Sequence, residues 1–290
     1  MSKKRIAVIG LKGLPAFGGA ATVGENLVEC LKDRYDFTVY ATSSHTSQKG
    51  SMNGYRQFVF KRLPVKRIDI FYYYLMSALH VVFIGKYDMV HLHHIDGAFI
   101  LFILRLRYRI VSTSHARSYT RDKWNKFEKL YFRINERIYL SLSNVLTVVS
   151  LELKKAYSNR TKKEIHYIPN GTRINIPVRD TRDIDEDSYV LFAAGRIMAA
   201  KGCHILLEAL NKINYKGRVL VIGDLNQLPK YKAKVLKLAS TLNVRFIDLI
   251  REKALLMAYV KKSRIFVFPS SKEAMSIMLL EAAPMKAHIV

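Results

Sequence analysis

Ile6-Ala-Val-Ile9-Gly10-Leu-Lys-Gly13-Leu-Pro15-Ala-Phe-Gly18-Gly19 decides how this chain is read. Apolar residues suited to a buried strand run into a glycine-spaced turn, and a helical pattern from Ala20 to Lys32 follows. Glycines between a strand end and a helix start let the backbone approach a ligand and point N–H groups at an anion. The turn lacks Gly-x-Gly-x-x-Gly, and the second strand closes on Tyr40-Ala41-Thr42 with no acid for a ribose, so it is not a dinucleotide fingerprint. It is not a P-loop either, because Gly19 stands where the phosphate-binding lysine belongs. A tight turn serving structure alone fits the same residues.

Outward from that turn the pattern repeats. Strands are expected at Phe37 to Tyr40, Phe58 to Phe60, Met89 to Leu92, Arg109 to Thr113, Val145 to Val149 and His166 to Ile168. Helices are expected at Phe71 to Ile84, Trp124 to Leu142 and Glu152 to Ser158. Pro169-Asn170-Gly171, Pro177 and the charged run Arg179 to Asp187 interrupt the rhythm. It resumes with strands at Tyr189 to Ala193, Arg218 to Ile222, Val244 to Ile247 and Ile265 to Phe268, and with helices at His204 to Lys212, Lys230 to Leu242 and Lys253 to Lys261. Alternation of this kind predicts parallel sheets with crossover helices, an α/β class. At 290 residues and 50% hydrophobic, the chain can bury two cores. The expected division is a Rossmann-like domain over 1–172, a linker over 173–188 and a second Rossmann-like domain over 189–290. Glu281 to Pro284 reads as the first turns of a helix and His288-Ile-Val290 as a strand just starting, so the second domain is expected to be incomplete.

The formal charge of +25 arises from 48 Lys and Arg against 23 Asp and Glu, which calls for an anionic partner: nucleic acid, a membrane surface or a diphosphate-bearing substrate. Cys30 and Cys203 stand apart with no metal-ligand spacing, excluding a disulfide framework and a zinc site. The N-terminus has no apolar signal core, so the cytoplasm is the expected compartment. The stretch Ile68 to Gly85 contains Asp69 and His80 and falls short of the roughly 20 apolar residues of a spanning helix. Its neighbours Lys61, Arg62, Lys66 and Arg67, with Tyr72 to Tyr74 and then Arg105, Arg107 and Arg109, suit a protein resting on anionic lipid. A core helix with solvated flanking charge suits them equally.

Chemistry concentrates in the second half. In Gly195-Arg196-Ile-Met-Ala-Ala-Lys201-Gly202 a strand ends and two cations flank the next helix start, a planar fork and a compact charge able to neutralise a leaving diphosphate. In Phe268-Pro-Ser-Ser-Lys272-Glu273-Ala-Met-Ser276-Ile-Met-Leu-Leu-Glu281-Ala282, one glutamate lies in a loop after a strand, and a second lies within a helix that Ser276 is placed to cap. Ionised carboxylates accept hydrogen bonds from hydroxyl pairs, so these two can grip separate polyol parts of one ligand.

Together these motifs resemble the retaining glycosyltransferases of family four, which have the two-domain GT-B fold. Val90-His-Leu-His93, Ser112-Thr-Ser-His115 and Ile168-Pro-Asn-Gly171 extend the resemblance over nearly the whole chain. The N-terminal half is most similar to the bacterial subgroup that builds surface polysaccharides such as lipopolysaccharide or capsule, including rhamnosyl- and galactosyltransferases. The resemblance implies that Arg196 and Lys201 bind the donor diphosphate, beginning at the Gly195 turn, and that Glu273, followed by Ala274, Met275 and Ser276, contacts the donor sugar. It implies that Glu281 holds the nucleotide ribose, that Gly18 and Gly19 lie beside the donor phosphates, and that His115 stands near the transferred sugar. It also implies a nucleotide-diphosphate sugar as substrate, a glycan or lipid-linked acceptor, and no metal or other cofactor.

The chain departs from the family pattern in three places. Ala116, Arg117 and Ser118 follow His115 where the subgroup has glycine and then an acid. Ala274 replaces the glycine after the first glutamate, and the final helix that braces the N-terminal domain in full-length relatives is missing. His91, His93 and His94 carry metal-ligand residue types at strand spacing, but the matching family segment is a strand end lining the interdomain cleft. Trp124, Tyr131 and Tyr139 are expected in the core or an acceptor groove. A basic nucleic-acid-binding protein is the rival class, for which no zinc finger, RRM signature or helix-turn-helix pattern is present, so no nucleic acid is expected. A catalytically inactive remnant of the enzyme is the other.

Overall fold

The computed structural model describes residues 2–16, 18–120, 124–173, 175–184, 188–271 and 273–290. Phe17 of the glycine turn, Lys272 of the two-glutamate stretch and residues 185–187 of the charged run lie outside the described residues, as do the side chains of Lys66 and Arg67. The chain divides into two compact units, Met1–Asn170 and Gly171–Val290.

The first unit contains β1 (Lys4–Lys12), α1 (Gly19–Leu31), β2 (Tyr35–Thr42), β3 (Gly50–Met52), β4 (Tyr55–Phe60), α2 (Lys66–Phe83) and β5 (Met89–His93). A 3-10 helix (Ile95–Ile100) then continues into α3 (Leu101–Leu104), followed by β6 (Ile110–Ser114), α4 (Lys126–Leu142), β7 (Val145–Val148), α5 (Leu151–Ser158) and β8 (Ile165–Tyr167). Among the described residues these strands form one sheet in the order β3-β4-β2-β1-β5-β6-β7-β8. All neighbours are parallel except β3 with β4. β1 is buried along Ile6 to Leu11, as expected of a parallel strand covered on both faces. Ile6 and Val8 pack with Val28 of α1 and Phe37 and Val39 of β2.

The second unit contains β9 (Tyr189–Arg196), α6 (Cys203–Lys212), β10 (Arg218–Asp224), α7 (Pro229–Ala239), β11 (Val244–Ile247), α8 (Lys253–Lys262), β12 (Ile265–Phe266) and α9 (Ile277–Ala282). Its parallel sheet has the order β11-β10-β9-β12. Strand period two divides β9 between two cores. Tyr189, Leu191 and Ala193 join Met257 and Val260 of α8, while Val190 and Phe192 join Leu206 and Leu210 of α6. At the end of the chain, Ile289 bridges Phe266 in parallel, so the strand expected at His288 to Val290 has begun.

Several local expectations change. β3, the 3-10 helix and α3 have no apolar period long enough to betray them. The last helix begins at Ile277 rather than Glu281, and Ser276 precedes it without a side-chain capping bond. Trp124 lies before α4, whose start is a capping box: Asn125 Oδ1 accepts from the Glu128 N–H at 2.9 Å, and Glu128 Oε2 accepts from the Asn125 N–H at 2.9 Å. Tyr73 and Tyr74, which in sequence suit anionic lipid and a core helix equally, are fully buried. The Tyr73 hydroxyl accepts from the Gly10 N–H at 2.9 Å and donates to the Tyr40 carbonyl at 2.8 Å, so it pins the end of β1.

Candidate active site

In open parallel sheets the strand order reverses at one point, and the strand ends on either side of it diverge to leave room for a ligand. In the first unit this point lies between β1 and β5, and in the second between β9 and β12. Nearly every candidate residue follows one of these strands or the next one out.

At the first switch point, Gly10 has φ 107, and a Cβ there would lie 1.8 Å from the His93 carbonyl oxygen, so only glycine fits where β1 and β5 part. The turn beyond is held from beneath. Gln57 Oε1 accepts from the Leu14 N–H at 2.8 Å, while Gln57 Nε2 and the Thr46 hydroxyl both donate to the Leu14 carbonyl at 3.0 Å. Glu25 takes the Ala16 N–H at 3.2 Å. The amides of Gly10, Leu14 and Ala16 are therefore taken by side chains of the same unit, Tyr73, Gln57 and Glu25. Gly18, at φ 118, precedes α1, and with Gly19 it borders open space; the first N–H groups of that helix are the donors nearest the turn.

β5 and β6 bring four histidines together. His91 and His93 share a face of β5 with ring centroids 4.0 Å apart, and His115, just past β6, lies nearly parallel to His93 at 5.4 Å. His94 turns off the strand at φ 75, a left-handed conformation uncommon outside glycine, and its ring lies 5.2 Å from that of His115. Thr113 Oγ1 lies 2.8 Å from His91 Nε2 and 2.6 Å from Thr147 Oγ1, which lies 3.2 Å from the Ser112 carbonyl, so imidazole and hydroxyls form one hydrogen-bonded chain. His93 Nδ1 and His115 Nε2 share one proton at 3.1 Å, and the outer nitrogens, His93 Nε2 and His115 Nδ1, are buried without a protein partner.

Burial holds His91 down to about 4. His93 and His115 are held well below the usual imidazole range by burial first and by neighbouring imidazoles second, so these two and His91 are neutral at pH 7. Among the described residues, no set of three His, Cys, Asp or Glu side chains converges in a geometry that could hold a metal ion, these histidines included.

The second switch point is charged. β9 ends in Gly195 and Arg196, both exposed, and Lys201 closes the short turn before α6. Gly202, at φ 78, sits where a Cβ would meet the Pro269 carbonyl oxygen at 2.1 Å, which lets the chain after β12 pass close by. That contact, with Ser270 Oγ and the Ser271 N–H both donating to the Ala200 carbonyl at 3.0 Å, joins the two loops. The result is an ion pair between Lys201 Nζ and Glu273 Oε1, which also accepts from Ser270 Oγ at 2.9 Å. Both charged side chains remain partly open to solvent, and Lys201 Nζ lies 5.8 Å from the Phe268 ring centroid. Ala274, Met275 and Ser276 are half-buried in the turn leading to α9.

Glu281 does not join this pair. It is 5% exposed inside α9 and pairs through Oε1 with Lys253, the first residue of α8. Lys253 was not legible as a site residue, because nothing in its local sequence distinguishes it from other helix-start lysines. Ser270 did carry a signal: its Ser-x-x-Glu spacing to Glu273 is that of a helix cap, used here within a loop.

The chain shares its fold with solved GT-B glycosyltransferases. Sucrose-phosphate synthase from Thermosynechococcus elongatus is 20% identical with a TM-score of 0.78, over 99% of this chain and 80% of that one. HepE from Anabaena in complex with UDP-glucose is 16% identical with a TM-score of 0.72, over 99% and 79%. An α,α-trehalose-phosphate synthase (UDP-forming) from Burkholderia xenovorans in complex with glucose-6-phosphate is 12% identical with a TM-score of 0.68, over 98% and 82%. A search of curated proteins gave no match. Residues 17–175 match Glycosyltransferase Family 4 and residues 177–290 match Glycosyl transferases group 1, so the chain belongs to glycosyltransferase family 4.

Proposed function

We propose that this protein moves a hexose from a nucleotide-diphosphate sugar to a glycan or lipid-linked acceptor, with retention at the anomeric carbon and without a metal. In this reading it works at the cytoplasmic face of a membrane in surface-polysaccharide synthesis. The observation that carries the proposal is the Lys201–Glu273 pair beside Arg196 at the second switch point. A lysine held next to a carboxylate and partly solvated is placed to exchange that partner for diphosphate oxygens. The glutamate it releases is then free to accept from sugar hydroxyls. Arg196 supplies the second cation, and the two neutralise charge as the diphosphate departs. Glu281, already oriented by Lys253, accepts from the ribose hydroxyls. Gly18 and Gly19 leave room beside the phosphates.

His115, neutral through burial, stands near the transferred sugar as positive charge develops on it, and His93 is its hydrogen-bond partner through Nε2. The acceptor hydroxyl attacks from the leaving-group face with a phosphate oxygen as base. HepE with UDP-glucose supports this donor class by its printed ligand.

A thermal-shift panel of UDP-, GDP- and dTDP-sugars tests the reading, because a ligand that binds only the folded state raises the melting temperature. At least one donor should stabilise the protein, and Lys201→Ala should abolish that shift. No shift with any donor, together with steep salt-dependent binding to generic duplex DNA, would replace this reading with the nucleic-acid one.

A further inference from the structure

One face of the first unit is apolar where it meets solvent. α4 buries Phe132, Asn135, Glu136, Tyr139 and Leu140, and on its opposite side Phe127, Leu130 and Ile134 recur at three- and four-residue steps, with Phe127 84% exposed. A surface helix normally carries one apolar stripe, so the second stripe of α4 lacks its covering. Phe102 of α3 and Leu106 of the turn after it are likewise apolar and exposed, by 60% and 77%. The two elements are locked side by side: Tyr131 Oη donates to the Asp96 carbonyl at 2.8 Å, Asn135 Oδ1 accepts from the Phe99 N–H at 2.8 Å, and Arg105 donates to the Leu142 carbonyl at 3.2 Å. On the other flank α2 joins through the Phe71–Phe99 stack at 4.5 Å and the Arg107 bond to the Val82 carbonyl at 2.5 Å. From Ile70 to Gly85 the sequence of α2 holds no Lys, Arg, Asp or Glu.

The charges in this layer are sorted by sign. Its acids are turned to internal work. Asp69 is buried and takes the Leu63 N–H, Asp96 accepts from Ser118, Glu128 closes the α4 capping box, and Glu136 is buried against Arg160. Lys126, Arg133 and Arg137 are exposed among the apolar residues of α4. An apolar stripe interleaved with cations and cleared of free acids fits the headgroup region of an anionic bilayer, where aliphatic and aromatic side chains enter the acyl boundary while cations meet lipid phosphate.

Two copies of the face would bring two cationic rims together on chains that each carry +25. A nucleic acid would find leucine and isoleucine where stacking needs flat rings. Among the described residues, no helix is long and apolar enough to cross a membrane.

We propose that the outer face of α2, α3 and α4 docks this protein onto anionic lipid. This deepens the membrane part of the proposed function by naming the surface, and it rests on geometry independent of the donor site. The full chain, without nucleotide sugar, is mixed with sucrose-loaded vesicles of equal phosphatidylcholine and phosphatidylglycerol and sedimented. It should pellet with these vesicles, pellet weakly with phosphatidylcholine alone, and be released by 0.5 M salt, roughly a threefold shorter screening length than at low salt.

The combined variant Phe127→Ser, Leu130→Ser and Ile134→Ser should bind at least about tenfold more weakly, from the lost apolar insertion. Arg133→Gln with Arg137→Gln should lose roughly fivefold for each charge removed. In both, an unchanged melting temperature and an unchanged donor-induced shift keep folding and donor binding separate from lipid binding. Failure of wild-type protein to pellet with anionic vesicles, or unaltered pelleting by both variants, overturns the proposal. So does a concentration-dependent dimer that the apolar variant abolishes, which would assign the face to a second copy.

Discussion

The two switch points solve the same geometric problem with opposite chemistry. In each, a glycine at positive φ lies against a backbone carbonyl of the neighbouring strand end, His93 for Gly10 and Pro269 for Gly202. Around Gly10 the side chains are imidazoles and hydroxyls, buried, neutral and hydrogen-bonded to one another. Around Gly202 they are a lysine and a glutamate in a pair that water still reaches. Burying an ion costs several kcal/mol, so a site that must receive a charged group keeps its own charges near solvent, where partners can exchange. A group that must stay uncharged is held so by burial. In the proposed function, charge on the second unit handles the donor and neutral imidazole on the first meets the sugar.

Removing charge should produce the largest break in this symmetry. Lys201→Ala should lower turnover about 10²–10³-fold with an unchanged melting temperature, the scale seen when one donor to developing negative charge is lost. Initial rates beside a thermal melt would show it, and near-normal transfer would remove Lys201 from the mechanism. Substituting the glycines tests what the two sites share. Gly10→Ala and Gly202→Ala should each destabilise their own unit by about 3 kcal/mol or more, because a Cβ meets a carbonyl oxygen in a left-handed conformation. Hydrogen exchange resolved to β1 and α6 would separate the two units.

Acid should distinguish the sites next. His91 is held at about 4 when folded against about 6.5 when unfolded, so below pH 6.5 the unfolded chain binds a proton that the folded one refuses. Its stabilising contribution is complete above the unfolded value and declines as pH falls toward 4, by about 2 kcal/mol between pH 7 and pH 5. Exchange of β5 amides at the two pH values should show the loss, and His91→Asn should remove the His91 share of it while the share of the buried His93 and His115 remains. The smallest effect concerns helix starts. Asn125→Ala should cost the first unit about 1 kcal/mol in urea melts, while Ser276→Ala, with no capping bond to lose, should cost the second far less.

Most of the regular elements were legible because their signals are local. β1 and β9 are apolar runs ending in glycine, and α6 and α8 carry an apolar period, so strand, turn and helix followed from adjacent residues. β3, with Gly50-Ser51-Met52, has no such period and exists only because β4 offers it an edge. Tyr73 and Tyr74 look like interfacial aromatics in a list of residues, yet α2 turns them inward under β1. Their chemistry is amphipathic, so the sequence leaves both environments open and packing chooses one.

From its sequence alone this chain determined two α/β units, where each turns from strand to helix, and the charged residue types on which the proposed function rests. Those are properties of neighbours along the backbone. Tertiary structure decided that Glu273 pairs with Lys201 while Glu281 pairs with Lys253, that four histidines form one cluster, and that α4 carries an apolar stripe on its outer side as well as its inner. Such pairings join residues from separate loops and strands. Which of several cations meets a given acid depends on where the sheet brings the chain back, which no short-range pattern encodes.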